Sequence, residues 1–150
     1  MKNAKAMLDE VLRKIQADKK YEKEIFERLG SIIKIINRGQ KGIRAILGGS
    51  GAKGTWLRGM HDIDVFVCFD YAKYKEKSAE LSELLAAAIK KTFKKHERLH
   101  GSRDYFRTKM GGYNFEVVPI LGIRKASQAL NITDVSLLHA GWVNKKISKN

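Results

Sequence analysis

Two aspartates open a short apolar run, DIDVFVCF, at residues 62–69. If the run is a strand, the carboxylates of Asp62 and Asp64 leave the same face and repel each other at close range. A divalent cation would relieve that repulsion, and hard carboxylate oxygens suit Mg²⁺ or Mn²⁺. Aspartates are also common at strand starts as turn and capping residues. The pair alone therefore leaves a metal site and an ordinary turn both open.

A glycine-rich turn precedes the two aspartates. Gly49, Ser50 and Lys53 lie in the stretch GGSGAKG, residues 48–54, directly after an apolar run at 43–47. Small residues let the backbone approach a phosphate closely, so the stretch is a candidate triphosphate cradle. It is out of register with the P-loop pattern G-x-x-x-x-G-K-[ST], which argues against a Walker-type ATPase. An ordinary strand-to-helix turn would explain the glycines, but it needs neither the hydroxyl nor the cation.

A third carboxylate, Glu116, interrupts the apolar run YNFEVVPI at residues 113–120. Strand alternation permits a side chain that simply faces solvent. If the sheet instead places this run beside residues 62–69, Glu116 completes a set of three carboxylates. A base beside a metal is what an attacking hydroxyl requires.

The surrounding apolar patterns predict the elements that must position these side chains. Three segments have helical spacing, a weakly patterned fourth is predicted as a short helix, and four shorter runs have the composition of strands. The predicted helices are 3–18, 21–37, 75–95 and 134–144, and the predicted strands are 43–47, 62–69, 105–110 and 113–121, with Pro119 marking the end of the last. They indicate one small α+β or α/β sheet covered on one face by helices, without a second domain.

The composition indicates a single basic domain. The 150 residues are 43% hydrophobic, enough for one core. A formal charge of +14 favours nucleic-acid or nucleotide binding, with solubility alone as the alternative. No apolar run approaches the roughly 18 residues of a membrane span, and no signal core is present, so we expect a cytoplasmic protein without a membrane partner. The single cysteine, Cys68, is assigned no role.

The segment GGSGAKGTWLRGMHDIDVFV, together with FEVVPI, resembles the signature of polymerase-β-type nucleotidyltransferases, most closely that of the archaeal CCA-adding enzymes. The resemblance covers roughly residues 20–145, with GTWLRG, the D-I-D strand and the VVP strand in order at fitting separations. It implies an α+β fold, with a helical part at about 1–40 and a palm-like mixed sheet at about 41–145. It also implies in-line attack of an RNA 3′ hydroxyl, tRNA-like, on the α-phosphate of ATP or CTP, with release of pyrophosphate.

The resemblance also implies how the nucleotide is held. Ser50 and Lys53, in the turn that contains Gly49, would contact the β- and γ-phosphates. The later segment SLLHAGW resembles a family segment that approaches the nucleotide, which points to Ser136 and His139. From the sequence alone, His139 is equally well explained as a histidine on a helix surface.

The same resemblance implies two divalent ions, Mg²⁺ or Mn²⁺, held by three carboxylates. Asp62 and Asp64 would bind both ions, and Glu116 would bind the catalytic ion and assist deprotonation. Glu116 stands where the family usually has Asp, and the extra methylene predicts a reduced rate rather than lost chemistry. Basic residues are candidates for holding acceptor phosphates, each with a solvated surface charge as the alternative: Arg58, Arg98, Arg103, Arg107 and Lys109.

The chain stops where the family continues into domains that select the base and grip the tRNA. We therefore expect a reduced activity, such as addition of one kind of nucleotide, more than a full C-C-A programme. Two alternatives stay open: transfer to a protein or small-molecule hydroxyl, and a non-catalytic RNA-binding subunit of a split enzyme. Self-association or a partner chain is compatible with either.

Overall fold

The computed structural model describes residues 3–38, 41–59 and 62–148. Residues 39 and 40 of the RGQKG stretch, and residues 60 and 61 of the segment that carries the family resemblance, lie outside this range. The helices are α1 (Ala4–Ile15), α2 (Lys19–Asn37), α3 (Gly49–Lys53), α4 (Tyr71–Tyr74), α5 (Leu81–Thr92) and α6 (Ser136–Ile147). The strands are β1 (Ile43–Leu47), β2 (Asp62–Asp70), β3 (Glu97–Leu99), β4 (Tyr105–Met110) and β5 (Tyr113–Gly122). Within the described residues, none of the helices is both long and apolar enough to cross a membrane.

The strands form one sheet in the order β1-β2-β5-β4-β3. β2 and β5 run parallel, and the other neighbours are antiparallel. A parallel pair needs a long crossover connection. That connection here contains α4, α5, β3 and β4, so two strands far apart in sequence become direct neighbours. The four predicted strands are confirmed, and β3 is an additional short strand at the edge.

One face of the sheet is covered by α2 and α5. Alternate residues of the central strands point into this layer and are buried against the apolar faces of the two helices. The main members of this core are Ile63, Val65, Val67 and Phe69 from β2, Phe115, Val117 and Leu121 from β5, Ile25, Leu29 and Ile32 from α2, and Leu81, Leu85 and Ile89 from α5. The intervening residues, among them the candidate carboxylates, lie on the opposite face. The predicted α+β sheet flanked by helices is therefore confirmed.

The helix predicted over 75–95 is shorter than expected. Residues Lys75–Glu80 form a 3₁₀ segment in which Lys77 has non-helical angles, with φ −109° and ψ 21°. The α-helix begins only at Leu81 and ends at Thr92, because Phe93 is already extended, with φ −117° and ψ 116°. The apolar spacing was correct for the buried face but could not show these breaks.

Pro119 does not end its strand, contrary to the sequence prediction. It pairs with Val67 inside β5, which continues to Gly122. The β4 pairing ends with Phe106 opposite Val117, so β5 continues past the end of β4 and Pro119 has no partner on that strand. Because proline has no backbone N–H to donate, it is tolerated where that side of a strand has no ladder partner.

The side chains of Arg103 and Asp134 form hydrogen bonds with the backbone along this side of β5. Arg103 Nη1 donates to Asp134 Oδ1 at 2.6 Å and to the Pro119 carbonyl at 3.3 Å, while Nη2 donates to Ser78 Oγ at 2.8 Å. Asp134 also accepts from the Leu121 N–H at 2.8 Å. The Arg103 side chain is only 6% exposed. The expectation that it contacts an RNA phosphate is therefore wrong, since it is a buried structural residue.

Arg103→Lys should destabilise the fold by about 2 kcal/mol, because an ammonium cannot make the same divergent set of hydrogen bonds as a guanidinium. Urea unfolding would measure the change. Arg98→Lys is the matched control: Arg98 is paired with Glu83 and Asp104 at the surface, so its change should stay within about 0.5 kcal/mol. Equal effects at the two positions would contradict the structural role of Arg103.

Candidate active site

The parallel register of β2 and β5 brings the three candidate carboxylates to one part of the sheet. Asp64 lies opposite Glu116, and Asp62 lies opposite Asn114. Neighbouring strands are about 4.8 Å apart, so the Asp64 and Glu116 side chains leave adjacent backbones on the same face. Asn114 Nδ2 donates to Asp62 Oδ1 at 2.9 Å. The sequence predicts a set of three carboxylates only if these two strands are neighbours, and the structure shows that they are.

Asp64 is the carboxylate of the set whose ionised form is disfavoured by its surroundings. Burial raises the pKa of its carboxyl group, and the charges of Glu116 and Asp62 raise it further. Lys53 acts in the opposite direction but does not reverse the shift. A cation bound here would favour the ionised form of Asp64, because it would offset both the desolvation and the like-charge repulsion.

The glycine-rich turn is attached directly to Asp64. The Gly48 N–H donates to the Asp64 carbonyl at 2.8 Å. Gly49 has φ +50°, and a Cβ at this position would stand 1.6 Å from Asp64 Oδ2. Only glycine allows such an approach in this conformation. The turn and the carboxylate therefore share one fixed geometry.

The remaining nucleotide-binding candidates lie on α3 and α6. Ser50 and Lys53 are in α3, and α6 packs against α3, with Asn144 Nδ2 donating to the Ala52 carbonyl at 2.9 Å. Ser136 is the half-buried first residue of α6, and His139 is exposed one turn later. The His139 ring stacks on Trp142 with 6.5 Å between ring centroids. The structure thus places both helices on the carboxylate side of the sheet.

Glu116 is held by an arginine from the neighbouring strand. Arg107 Nη2 donates to Glu116 Oε1 at 2.6 Å, and Arg107 Nε donates to the same oxygen at 3.2 Å. Among residues 3–38, 41–59 and 62–148, no three His, Cys, Asp or Glu side chains are grouped as ready metal ligands. The donor chemistry of Asp62 and Asp64 nevertheless fits a hard divalent cation. Glu116 can join them once its ion pair with Arg107 opens.

The other basic candidates differ in how their charges are engaged. Arg58 is paired with Asp18, and Arg98 with Glu83 and Asp104. Lys109 is exposed on β4, opposite Asn114.

Asn114 is the site residue that the sequence reasoning missed. It lies two residues before Glu116, so strand alternation alone would have placed both on one face.

The chain belongs to the nucleotidyltransferase domain family, whose model matches residues 23–135. The resemblance inferred from the sequence is thereby confirmed. Similar curated proteins include the CCA-adding enzyme of Nanoarchaeum equitans, 39% identical over 84% of this chain and 32% of that protein. The CCA-adding enzyme of Pyrococcus abyssi is 32% identical over 95% of this chain and 33% of that protein. The chain thus spans about a third of the length of these relatives.

Solved structures with the same fold include enzymes with different products. A poly(U) polymerase superposes with a TM-score of 0.64 at 15% identity, covering 94% of this chain and 40% of that one. A STING-associated c-di-GMP synthase from Capnocytophaga granulosa gives 0.66 at 15% identity, covering 89% and 48%. At this identity the likeness establishes the fold only. The substrate has to be argued from the residues of the site.

Proposed function

We propose that this chain transfers a nucleoside monophosphate from ATP or CTP to the 3′ hydroxyl of an RNA, tRNA-like in its 3′ end, and releases pyrophosphate. The observation that carries the proposal is the register that sets Asp64 opposite Glu116, directly beneath the glycine-rich turn. A carboxylate set and a glycine-rich turn that can approach a phosphate are the two parts that nucleotidyl transfer needs next to each other.

Each side chain has a defined task in this proposal. Ser50 and Lys53 bind the β- and γ-phosphates from α3, and Asp62 and Asp64 hold the divalent cations. Nucleotidyltransferases of this fold generally depend on divalent metals. Bound Mg²⁺ or Mn²⁺ would neutralise the triphosphate and the departing pyrophosphate. Glu116 accepts the proton of the attacking 3′ hydroxyl.

The choice of RNA as acceptor has two supports. The chain carries a formal charge of +14, and the similar curated proteins are CCA-adding enzymes. A protein or small-molecule acceptor would not need the positive electrostatic field of this chain, since these acceptors lack a phosphate backbone. A non-catalytic RNA-binding subunit would keep the field but show no turnover.

The deciding experiment offers each α-labelled nucleoside triphosphate with Mg²⁺ or Mn²⁺ to a tRNA lacking its 3′ end, a short RNA, a protein mixture and small alcohols. Wild type should label RNA, and Asp62→Ala plus Asp64→Ala should abolish the labelling. Label in protein or alcohol alone would reject the RNA acceptor. Salt-dependent RNA binding without turnover would instead indicate a subunit that lacks catalysis.

A further inference from the structure

We propose that the acceptor RNA reaches the carboxylates along a basic groove at the β3-β4 end of the sheet, called here the acceptor groove. Its walls are Lys94, Lys95, His96, Glu97, Arg107, Thr108, Lys109 and Asn114, around a cavity of about 460 Å³. The proposal rests on the proposed function, because it assigns the path of the single-stranded 3′ end to that same site.

The strand register links residues of the groove to the carboxylate site. Lys109 is opposite Asn114 in the β4-β5 register, and Asn114 is opposite Asp62 in the next pair. Arg107 lies opposite both Glu97 and Glu116 on its two neighbouring strands. From β3 to β2 the sheet spans three strand spacings, roughly 14 Å. A strand of RNA laid across this width would bring its end to the three carboxylates.

The loop that supplies two of the lysines is held in place. Thr108 Oγ1 donates to the Lys95 carbonyl at 3.0 Å, and the His96 ring bonds the Phe93 carbonyl at 3.0 Å. The His96 ring also packs edge-on against Phe106, with 6.4 Å between centroids. The backbone of the loop is therefore fixed on β4 while the side chains of Lys94 and Lys95 remain exposed.

The charges of the groove are available to a ligand. Within the described part of the chain, no carboxylate lies within ion-pair distance of Lys94, Lys95 or Lys109, whereas Arg58 and Arg98 are both paired. The groove walls contain four cationic side chains and one carboxylate, that of Glu97. Among the residues that the structure describes, the three lysines are thus free of ion pairs, while Arg107 is paired with Glu116. A basic track of this kind beside a phosphoryl-transfer site matches the backbone of single-stranded RNA.

Arg107 connects groove and site. Arg107 lines the groove, and its guanidinium binds Glu116, so a phosphate bound in the groove would compete with Glu116 for the same donors. Arrival of the acceptor would thereby release the carboxylate that accepts its proton.

Binding without turnover tests the acceptor groove. A 5′-labelled single-stranded RNA is titrated with the full chain in EDTA, without nucleotide, and followed by fluorescence anisotropy at several salt concentrations. The variant is Lys95→Gln plus Lys109→Gln, and the control is Lys19→Gln plus Lys20→Gln at the exposed start of α2. Both lose two positive charges, so their long-range attraction for RNA is matched.

The groove variant should bind about 25-fold more weakly than wild type at 0.1 M salt, and its salt slope should fall by about 1.4, as expected for two lost contacts to single-stranded phosphates. The control should stay within about threefold. Equal weakening of both variants, or no weakening of either, overturns the groove. The test needs neither metal nor turnover. An inactive wild type that still shows the selective loss would therefore reject the proposed function and leave an RNA-binding groove without an acceptor role.

Discussion

Asp64→Asn should lower nucleotidyl transfer by about 10³-fold or more, equal to at least about 4 kcal/mol of transition-state stabilisation. The amide keeps the shape of the side chain but removes the charge that we propose holds a cation beside Glu116 and the triphosphate. Initial rates of incorporation from an α-labelled triphosphate would measure the loss. Asp70→Asn is the control, since it removes the same charge from the far end of β2, and asparagine can still cap α4.

The same substitution should raise the melting temperature of the metal-free protein at pH 7. The pKa of Asp64 is raised in the folded state, so folding favours its protonated form. Its contribution to stability is therefore greatest below the unfolded pKa of about 3.9, and it declines as pH rises through the higher folded value. Asparagine removes that penalty, and the gain should shrink as the pH falls towards 4. Added Mg²⁺ should stabilise wild type more than the variant.

An inactive variant that melts lower than wild type, and responds equally to Mg²⁺, would indicate a structural aspartate. Lost activity together with a higher melting temperature has no such explanation. The combination therefore separates a metal ligand from a residue that merely supports the fold.

The candidate carboxylates could be selected from the sequence, but their arrangement in three dimensions could not. Asp62 and Asp64 are two residues apart, and this spacing alone places them on one face of a strand. Glu116 is more than fifty residues further along the chain. Which strand it joins depends on a parallel crossover, and no local pattern encodes that register. The ion pair with Arg107 is equally non-local. The sequence alone therefore offers an RNA contact or a solvated surface charge for this arginine, and not a partner for Glu116.

The fold could be predicted from the sequence where the apolar periodicity is long. The prediction was wrong where a single tertiary contact decides the local structure. The strands and the buried faces of α2 and α5 follow directly from apolar spacing. Pro119 was read as a strand end because proline usually interrupts a ladder. Here the side of the strand without a partner is bonded instead by Arg103 and Asp134, two residues that look like ordinary surface charges in the sequence.

Gly49→Ala should reduce transfer at least about a hundredfold. It should also destabilise the protein by more than the roughly 1–2 kcal/mol of backbone strain alone. The new methyl group would stand 1.6 Å from Asp64 Oδ2, so either the turn or the carboxylate must move. A displacement of about 1 Å in a reacting group already costs on the order of 10² in rate. Positive φ adds strain, roughly 1–2 kcal/mol for a residue with a side chain. Thermal unfolding and incorporation rates would measure the two effects.

Gly54→Ala is the matched control, because Gly54 also has positive φ, +65°, but no atom lies within 4 Å of its added Cβ. It should show the backbone strain alone, about 1–2 kcal/mol, with transfer within about threefold of wild type. Equal losses of activity in the two variants would mean that the turn matters only for its conformation. A selective loss at Gly49 would show that the cradle and the catalytic carboxylate must be in contact for nucleotidyl transfer to proceed.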